Sequence, residues 1–203
     1  MRIDTYTGGV FDTNCFLLPE HGILIDAPQD AATWLAGTGN KIGLLLLTHG
    51  HIDHVLDAAR IKREHGCRVG YHHDSIPLLT DPDFFKQFGF GWEIEPVEAD
   101  FLIAETDHTD LGGVSFRVLE VPGHCPGSLC FFALDERVLF GGDVLFAGGV
   151  GRWDLPGGDG ELLFAGIREK VLPLGDDVRV LPGHGPATTI GVERRTNPYL
   201  ATG

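Results

Sequence analysis

The chain has 203 residues, of which 43% are hydrophobic and 22% are charged, as expected for a globular protein with a sizeable core. Its 15 basic residues are outnumbered by 29 acidic ones, and the formal net charge of −14 argues against nucleic-acid binding because phosphates would be repelled. No apolar run approaches the roughly 18 to 20 residues that span a bilayer, so neither a nucleic acid nor a membrane is an expected partner.

Short strands separated by tight turns are predicted for the beginning of the chain. Residues 2–7, 15–18 and 23–25 are runs of strand-forming residues, divided by a Gly-Gly pair and by a Pro-Glu-His-Gly turn. Asp30 is a suitable N-cap for a helix over residues 31–36, which the glycines that follow would end.

An unbroken hydrophobic run over residues 41–48 predicts a strand that is buried on both faces. Apolar positions between residues 55 and 61 then predict a helix that ends near Gly66, and residues 68–71 predict another short strand. The next segment mixes proline, phenylalanine and acidic residues, which indicates an irregular lobe with a helical piece over residues 83–88.

The second half of the chain is predicted to alternate strands with glycine-rich loops. Strands are expected over residues 114–121, 129–134, 138–140 and 178–181, and a helix over residues 161–170. This order of elements indicates an α/β fold in which two mixed β-sheets pack face to face with external helices, a four-layer αβ/βα sandwich.

The segment that follows the apolar strand is the most informative part of the sequence. Residues 48–54 read Thr-His-Gly-His-Ile-Asp-His, so three imidazoles and one carboxylate lie close together in the chain. A helix cap needs only one of these polar groups, and a solvated loop does not need three histidines. Imidazole and carboxylate are ligands of transition-metal ions, so this run predicts a metal site.

Three distant loops carry the same kinds of side chain at the ends of predicted strands. One histidine follows a Pro-Gly pair, an aspartate follows two glycines, and another histidine lies between two glycines. Each of them alone would more often be a turn residue. Together with the first run they give seven candidate metal ligands: His49, His51, Asp53, His54, His124, Asp143 and His184.

Asp26 stands at the end of the predicted strand over residues 23–25. We expect its carboxylate to accept a hydrogen bond from the histidine loop and so to orient a metal ligand, in which role Thr48 is a second candidate. The alternative interpretation of Asp26 is a simple turn residue.

The four cysteines predict no disulfide framework. Cys15, Cys67, Cys125 and Cys130 form no C-x-x-C pair and are too few for a disulfide scaffold, which indicates reduced thiols in the cytoplasm. The N-terminus lacks a basic segment followed by an apolar one and is not typical of a signal peptide. Cys125 directly follows a candidate ligand, yet a buried inert thiol is the plainer interpretation.

The candidate ligands and their glycine-rich surroundings resemble those of the metallo-β-lactamase fold superfamily. The resemblance rests on the T-H-x-H-x-D-H run and on the Pro-Gly-His, Gly-Asp and Gly-His-Gly motifs, and it covers residues 1–203 as one domain. Residues 122–128 and 151–158 are similar to the glyoxalase II-like branch, and residues 182–198 resemble its compact bacterial members. The chain is accordingly expected to lack the C-terminal helical domain that provides much of the glutathione pocket in glyoxalase II proper.

The resemblance implies a centre with two divalent metal ions. It assigns the ligands as follows: His49, His51 and His124 to one ion, Asp53, His54 and His184 to the second, and Asp143 to both. Zinc is the first expectation, and iron or manganese are alternatives. Two ions about 3.5 to 4 Å apart would lower the pKa of a bridging water towards 7, and the resulting hydroxide would attack the substrate carbonyl. Asp53 and Asp143 are therefore the expected catalytic residues.

The activity that the resemblance implies is hydrolysis of a small thioester such as S-D-lactoylglutathione. For an anionic substrate of this kind, Arg152, Arg194 and Arg195 are the candidates for a carboxylate clamp. The alternative for Arg152 is an ion pair with Asp154, and the other two arginines would then lie on a solvated helix.

Other activities of the same fold are alternatives. Lactones or other esters are possible substrates of the same centre. Persulfide dioxygenases use one iron ion held by two histidines and one aspartate, which here would be His49, His124 and Asp143. A binding module without catalysis is disfavoured, because it would have no need of the complete ligand set.

Overall fold

The computed structural model of the protein describes residues 1–84, 86 and 93–200. The chain divides into two compact units, Met1–Ile103 and Ala104–Gly203, and each contains one six-stranded mixed sheet. Such a division is compatible with one domain, so the interpretation of the chain as a single domain stays a prediction.

The sheet of the first unit holds six strands that are neighbours in chain order. These strands are β1 (Asp4–Gly8), β2 (Thr13–Leu18), β3 (Ile23–Ile25), β4 (Leu44–Leu46), β5 (Arg68–Tyr71) and β6 (Phe101–Leu102). Pairing is antiparallel from β1 to β3 and parallel from β3 to β6. Because parallel strands run in the same direction, the carboxyl ends of β3, β4 and β5 lie along one edge of the sheet.

Helices connect the strands of this unit. They are α1 (Ala31–Thr38), α2 (Ile52–Val55), α3 (Ala58–His65) and α4 (Ile76–Thr80). α1 begins after Asp30 as predicted, although the Asp30 side chain makes no capping hydrogen bond. The single helix predicted before Gly66 is in fact two helices, α2 and α3, and α3 ends at Gly66. The helical piece predicted over residues 83–88 falls partly on residues outside the described ranges.

The hydrophobic run over residues 41–48 forms a shorter strand than predicted, but it is buried as expected. The strand covers Leu44–Leu46, and the leucines at positions 45, 46 and 47 have no exposed surface. β4 has a parallel neighbour on each side. Burial of successive side chains on both faces explains why the run shows no alternation of apolar and polar residues.

A second mixed sheet, in the order β14-β13-β10-β9-β8-β7, organises the other unit. Its strands are β7 (Thr106–Leu111), β8 (Val114–Glu120), β9 (Leu129–Ala133), β10 (Val138–Gly142), β13 (Arg179–Pro182) and β14 (Thr188–Thr189). β10 and β13 pair in parallel, and the other pairs are antiparallel. A separate hairpin consists of β11 (Leu145–Phe146) and β12 (Gly149–Val150).

The sequence pattern does not predict β7, because its residues lack an apolar alternation. The strand reads Thr-Asp-His-Thr-Asp-Leu and lies at one edge of the sheet, next to β8. Charged and polar side chains on an edge strand discourage further pairing with other chains. The polar composition therefore suits the position of the strand and also conceals it.

The helix predicted over residues 161–170 is present, but its second half is wider than an α-helix. The helical segments of this unit are α5 (Gly160–Gly166), a π-helical turn (Ile167–Val171), a 3-10 turn (Leu172–Leu174) and α6 (Ile190–Thr196). The side chains of Asp159 and Thr189 cap α5 and α6, each accepting a hydrogen bond from a backbone N–H.

Apolar side chains on one face of α5 and the π-helical turn anchor them in the core. Leu163, Ile167 and Val171 have no exposed surface, and they belong to one buried cluster with Val121 and Val180. Full burial stabilises the fold by about 1.5 to 3 kcal/mol for each such aliphatic side chain. This packing fixes the start of α5 close to the loop that follows β8.

Two mixed sheets with connecting helices make the chain an α/β protein, as predicted. The strands predicted over residues 23–25 and 68–71 have the same bounds in the structure. Within the described part of the chain, no helix is both long and apolar enough to cross a membrane.

The turn before His124 depends on a glycine, which generates a stability prediction. Gly123 has φ +119°, and a Cβ there would overlap the carbonyl oxygen of Asp159 and the amide of Leu163. We expect Gly123→Ala to destabilise the protein by about 2 to 4 kcal/mol, through backbone strain and overpacking. Urea denaturation followed by circular dichroism measures this change.

The matched control for that measurement is Gly37→Ala in α1. A Cβ at Gly37 would have no neighbour within 4 Å, and its φ is not in the left-handed region. Helix propensity then predicts a gain of about 0.5 to 1 kcal/mol. Equal effects of the two substitutions would contradict the close approach at Gly123.

Candidate metal centre

Four candidate ligands of the first unit lie together after the carboxyl end of β4. His49 and His51 belong to the loop that leaves the strand, and Asp53 and His54 belong to α2. The ring centroid of His49 lies 4.8 Å from that of His51 and 4.2 Å from that of His54. The Nε2 atom of His54 is 3.6 Å from the Oδ2 atom of Asp53. We call these four residues the first ligand set.

Asp26 fixes the geometry of the first ligand set from the end of β3. Its Oδ1 atom accepts a hydrogen bond of 2.8 Å from the backbone N–H of Thr48, and its Oδ2 atom accepts one of 2.8 Å from the Thr48 hydroxyl. The Nδ1 atom of His54 is 2.9 Å from the same Oδ2 atom. The expectation that Asp26 and Thr48 support the histidine loop is therefore confirmed.

These hydrogen bonds select the tautomers of two imidazoles. An ionised carboxylate only accepts, so Nδ1 of His54 carries the proton that is donated to Asp26. The Thr48 hydroxyl donates its only proton to Asp26, so His49 donates from Nδ1 to the Thr48 oxygen over 3.1 Å. In both rings Nε2 is left with a lone pair, which is the form that binds a metal ion.

Sequence reasoning missed the contact between Thr13 and Asp53. The Thr13 hydroxyl, at the start of β2, donates a hydrogen bond of 2.8 Å to Oδ2 of Asp53. Forty positions separate the two residues in the chain, and a lone threonine at the start of a strand has no distinctive pattern. Only the folded hairpin of β1 and β2 brings the hydroxyl to this carboxylate.

The three candidate ligands of the second unit also lie together, each after a strand. His124 follows β8, Asp143 follows β10 and His184 follows β13. A single oxygen, Oδ2 of Asp143, is 3.5 Å from Nε2 of His124 and 3.3 Å from Nε2 of His184. His124 and Asp143 are buried, whereas the side chain of His184 is one quarter exposed. We call these three residues the second ligand set.

A backbone carbonyl orients the imidazole of His124. Its Nδ1 atom is 2.7 Å from the carbonyl oxygen of Arg152, and a carbonyl only accepts, so Nδ1 carries the proton. Nε2 therefore presents a lone pair towards Asp143. Position 151, directly before Arg152, requires glycine, because a Cβ on Gly151 would overlap the carbonyl oxygen of Asp143. Residue-type patterns do not identify a main-chain acceptor, so sequence reasoning missed this contact.

The donor atoms of the second ligand set fit a transition-metal ion. Bonds of about 2.0 to 2.2 Å in a tetrahedral arrangement separate neighbouring ligand atoms by about 3.3 to 3.6 Å. The two distances from Oδ2 of Asp143, 3.3 and 3.5 Å, agree with this spacing. The first ligand set offers the same chemistry, because His49 and His54 have the metal-binding tautomer and Oδ2 of Asp53 is 3.6 Å from Nε2 of His54.

The three arginines proposed as a carboxylate clamp all have acidic partners in the structure. Arg152 donates from Nε and Nη2 to Asp154, with both distances 2.8 Å, and its guanidinium lowers the pKa of Asp154 to about 2. Arg194 and Arg195 lie on α6, and both reach Asp176, at 2.8 and 3.7 Å. Each side chain keeps much of its surface exposed, so the clamp stays a prediction.

The cysteines behave as the sequence predicted. All four are buried, and no disulfide joins them. Burial raises the pKa of the Cys130 thiol to about 12, and it also raises the pKa of the Cys15 thiol. Such thiols stay protonated at neutral pH, and Cys125 is equally enclosed, with no exposed surface.

Known proteins share this fold and sequence pattern. The sequence profile described as "Metallo-beta-lactamase superfamily" matches residues 8–184. The chain is 36% identical to "Hydroxyacylglutathione hydrolase GloC" of Haemophilus influenzae, over 98% of each protein. Its structure is similar to that of BLEG-1, a B3 metallo-beta-lactamase, with a TM-score of 0.92 and 34% identity, covering 99% of this chain and 100% of that one.

A second solved structure bears on the metal. It is that of TTHA1623 in a di-iron-bound form, with a TM-score of 0.86 and 36% identity, covering 97% of this chain and 100% of that one. The family profile and these neighbours confirm the predicted fold class and the resemblance on which it was based. They also imply that the chain binds divalent metal, in agreement with its two ligand sets.

The hydrogen bonds of Asp26 generate a prediction about metal affinity. In Asp26→Asn the side chain keeps one accepting oxygen, but it loses the charge, and its NH2 group faces groups that themselves donate to the carboxylate, among them the Thr48 hydroxyl and Nδ1 of His54. We expect the affinity for zinc to fall by about 10- to 100-fold, as is typical when a partner of a metal ligand is changed. Competition with a fluorescent zinc chelator measures this affinity.

Asp30→Asn is the matched control for that substitution. Asp26 and Asp30 both have a left-handed backbone, with φ 61° and 66°, which asparagine tolerates well, but Asp30 is exposed. Zinc affinity should therefore be unchanged in Asp30→Asn. An Asp26→Asn protein that holds zinc as tightly as this control would show that the carboxylate does not support the site.

Proposed function

The chain belongs to the metallo-beta-lactamase superfamily, and on that premise we propose that it hydrolyses glutathione thioesters such as S-D-lactoylglutathione, using two divalent metal ions. The coarser assignment, a metallo-hydrolase, follows from the family and from its relatives. The observation that carries the proposal is the pair of ligand sets, in which hydrogen bonds at Nδ1 leave Nε2 of His49, His54 and His124 ready to bind metal. The similarity to GloC supports a thioester of glutathione as the substrate class.

We propose that the two ligand sets serve one dinuclear centre, as the family resemblance implies. The proposed assignment is His49, His51 and His124 to one ion, Asp53, His54 and His184 to the other, and Asp143 to both. Zinc is the proposed metal. Iron is the alternative that TTHA1623 in its di-iron-bound form supports, and manganese, which favours carboxylate ligands, is a further one.

When bound, two divalent ions supply a hydroxide nucleophile from water at neutral pH and polarise the carbonyl of the substrate. The contribution of the chain is to hold the donor atoms rigidly. Asp26 and the Arg152 carbonyl each occupy the Nδ1 side of a ligand histidine, so these rings cannot turn over. Asp53 and Asp143 are the proposed catalytic residues, because their carboxylates bring negative charge next to the ions.

The leaving group of a thioester suits a site built in this way. All seven ligand side chains are committed to the ions, so none of them is available as a strong general acid. A thiol has a pKa near 8.5 and departs readily as a thiolate, without prior protonation. An amine leaving group needs a proton, so the ligand chemistry favours thioesters over amides.

A single-iron persulfide dioxygenase is the alternative function within this fold. It would use only His49, His124 and Asp143, and it would leave the other four candidate ligands without a role: His51, Asp53, His54 and His184. The presence of these four residues, with Asp53 and His54 held by Thr13 and Asp26, favours the hydrolase.

Metal analysis and two assays test the proposed function. We expect about two metal ions per chain after gel filtration in metal-free buffer, together with hydrolysis of S-D-lactoylglutathione. A dioxygenase would instead hold about one iron ion and consume oxygen when glutathione persulfide is added. Oxygen uptake without thioester hydrolysis would overturn the proposal in favour of the alternative.

Substitution of the proposed bridging ligand gives a direct prediction. We expect Asp143→Ala to lower kcat/KM by at least roughly 100-fold, because charge stabilisation at the reacting centre is lost. The metal content should fall in the same protein. Asp107→Ala is the control, since the Asp107 side chain is 92% exposed on β7, and normal turnover in Asp143→Ala would refute the bridging role.

The proposed carboxylate clamp is tested at Arg152. We expect Arg152→Gln to raise KM for S-D-lactoylglutathione by about fivefold with kcat unchanged, which is a typical contribution of an exposed ion pair. Asp154→Asn removes the competing partner of Arg152 and should lower KM. Hydrolysis of a thioester that lacks carboxylates should respond to neither substitution, and an unchanged KM in Arg152→Gln would exclude the clamp.

A further inference from the structure

A second cluster of metal-ligand side chains lies at the end of the next strand of the first sheet. His72, His73 and Asp74 directly follow β5, whose carboxyl end lies at the same sheet edge as those of β3 and β4. None of these three residues belongs to the two ligand sets. They begin a short 3-10 turn that leads into α4.

The carboxylate of Asp74 lies between the two imidazoles. Its Oδ1 atom is 2.9 Å from Nε2 of His73, and its Oδ2 atom is 3.7 Å from Nδ1 of His72. The two ring centroids are 4.3 Å apart, with an angle of 48° between the planes. One donor atom from each residue therefore lies within 4.8 Å of the others.

The ring nitrogen of His72 that faces Asp74 is unprotonated. Its Nδ1 atom accepts a long hydrogen bond of 3.3 Å from the backbone N–H of Asp74, and a bound ion would take this lone pair in place of that hydrogen bond. The side chain of His72 is only 2% exposed, which holds the ring in place. His73 and Asp74 are 63% and 44% exposed, so an ion can enter from solvent.

The spacing and the types of donor select a class of ion. Neighbouring ligands of a tetrahedral zinc ion lie about 3.3 Å apart. Nε2 of His73 is 2.9 Å from Oδ1 of Asp74 and Nδ1 of His72 is 3.7 Å from Oδ2, and with one donor atom from each residue within 4.8 Å of the others, small side-chain rotations would bring the three to this spacing. Two nitrogens and one oxygen suit zinc, nickel or copper, whereas calcium and magnesium require mostly oxygen ligands. The net charge of −14 also concentrates cations near the protein.

We propose that His72, His73 and Asp74 form an accessory site for one divalent transition-metal ion. The cluster supplies three ligands, and water completes the coordination from the exposed side, as in other three-ligand zinc sites. This site does not depend on the thioester activity proposed above. It requires only that the three side chains bind an ion in addition to those held by the two ligand sets.

Zinc binding to the full-length protein tests the accessory site. Equilibrium dialysis against excess free zinc gives the number of ions bound per chain for the wild type, His73→Ala and Asp74→Asn. The control is His108→Ala, because His108 is an exposed histidine on β7, outside all the clusters named here. We expect the first two variants to bind about one ion fewer than the wild type and the control.

Two further measurements make the result decisive. Zinc should shift the NMR signals of the ring nitrogens of His72 and His73 in the wild type. Thermal melts should show that both variants remain folded. The difference of one ion should persist in the Asp143→Ala background, whatever the outcome for hydrolysis. Equal numbers of bound ions in all the proteins would overturn the accessory site. If His73→Ala unfolds, the number of ions bound to Asp74→Asn, which keeps the size of the side chain, provides the test.

Discussion

The buried carboxylate of Asp26 is the constraint on which the first ligand set depends. Removing a charged group from water is costly, and it is tolerated only when donors surround the charge. Here the Thr48 amide, the Thr48 hydroxyl and His54 all donate to it. The same bonds that stabilise the buried charge therefore lock the loop after β4 and the start of α2, where the candidate ligands stand.

In the second unit a main-chain group orients a candidate ligand. The Arg152 carbonyl takes the place that the Asp26 carboxylate has in the first unit, and it holds His124 through Nδ1. It can do so because Gly151 lets the backbone pass close to Asp143. The candidate ligands His49, His54 and His124 are each oriented by an acceptor at Nδ1, which leaves Nε2 for an ion.

Sequence reasoning predicted the fold most accurately where burial dictates residue type. The strands Ile23–Ile25 and Arg68–Tyr71 and the end of α3 at Gly66 agree with the pattern, because apolar runs and glycine stops have a local cause. It failed at the edge strand β7, because the edge of a sheet favours polar residues and the strand therefore lacks the apolar pattern of a core strand. It also missed the π-helical turn after α5, whose Ile167 and Val171 side chains are buried in the core.

The sequence by itself determined the chemistry of this protein: seven imidazole and carboxylate side chains next to strands and glycines, and a resemblance to a metal-binding family. The types of candidate ligand and their order in the chain can be read from the sequence, and metal preference follows from the donor atoms. Only the tertiary structure decided which partners hold those ligands, namely Asp26, Thr13 and the Arg152 carbonyl. These contacts join residues far apart in the chain, and a hydrogen bond between such residues leaves no periodic signal in the sequence.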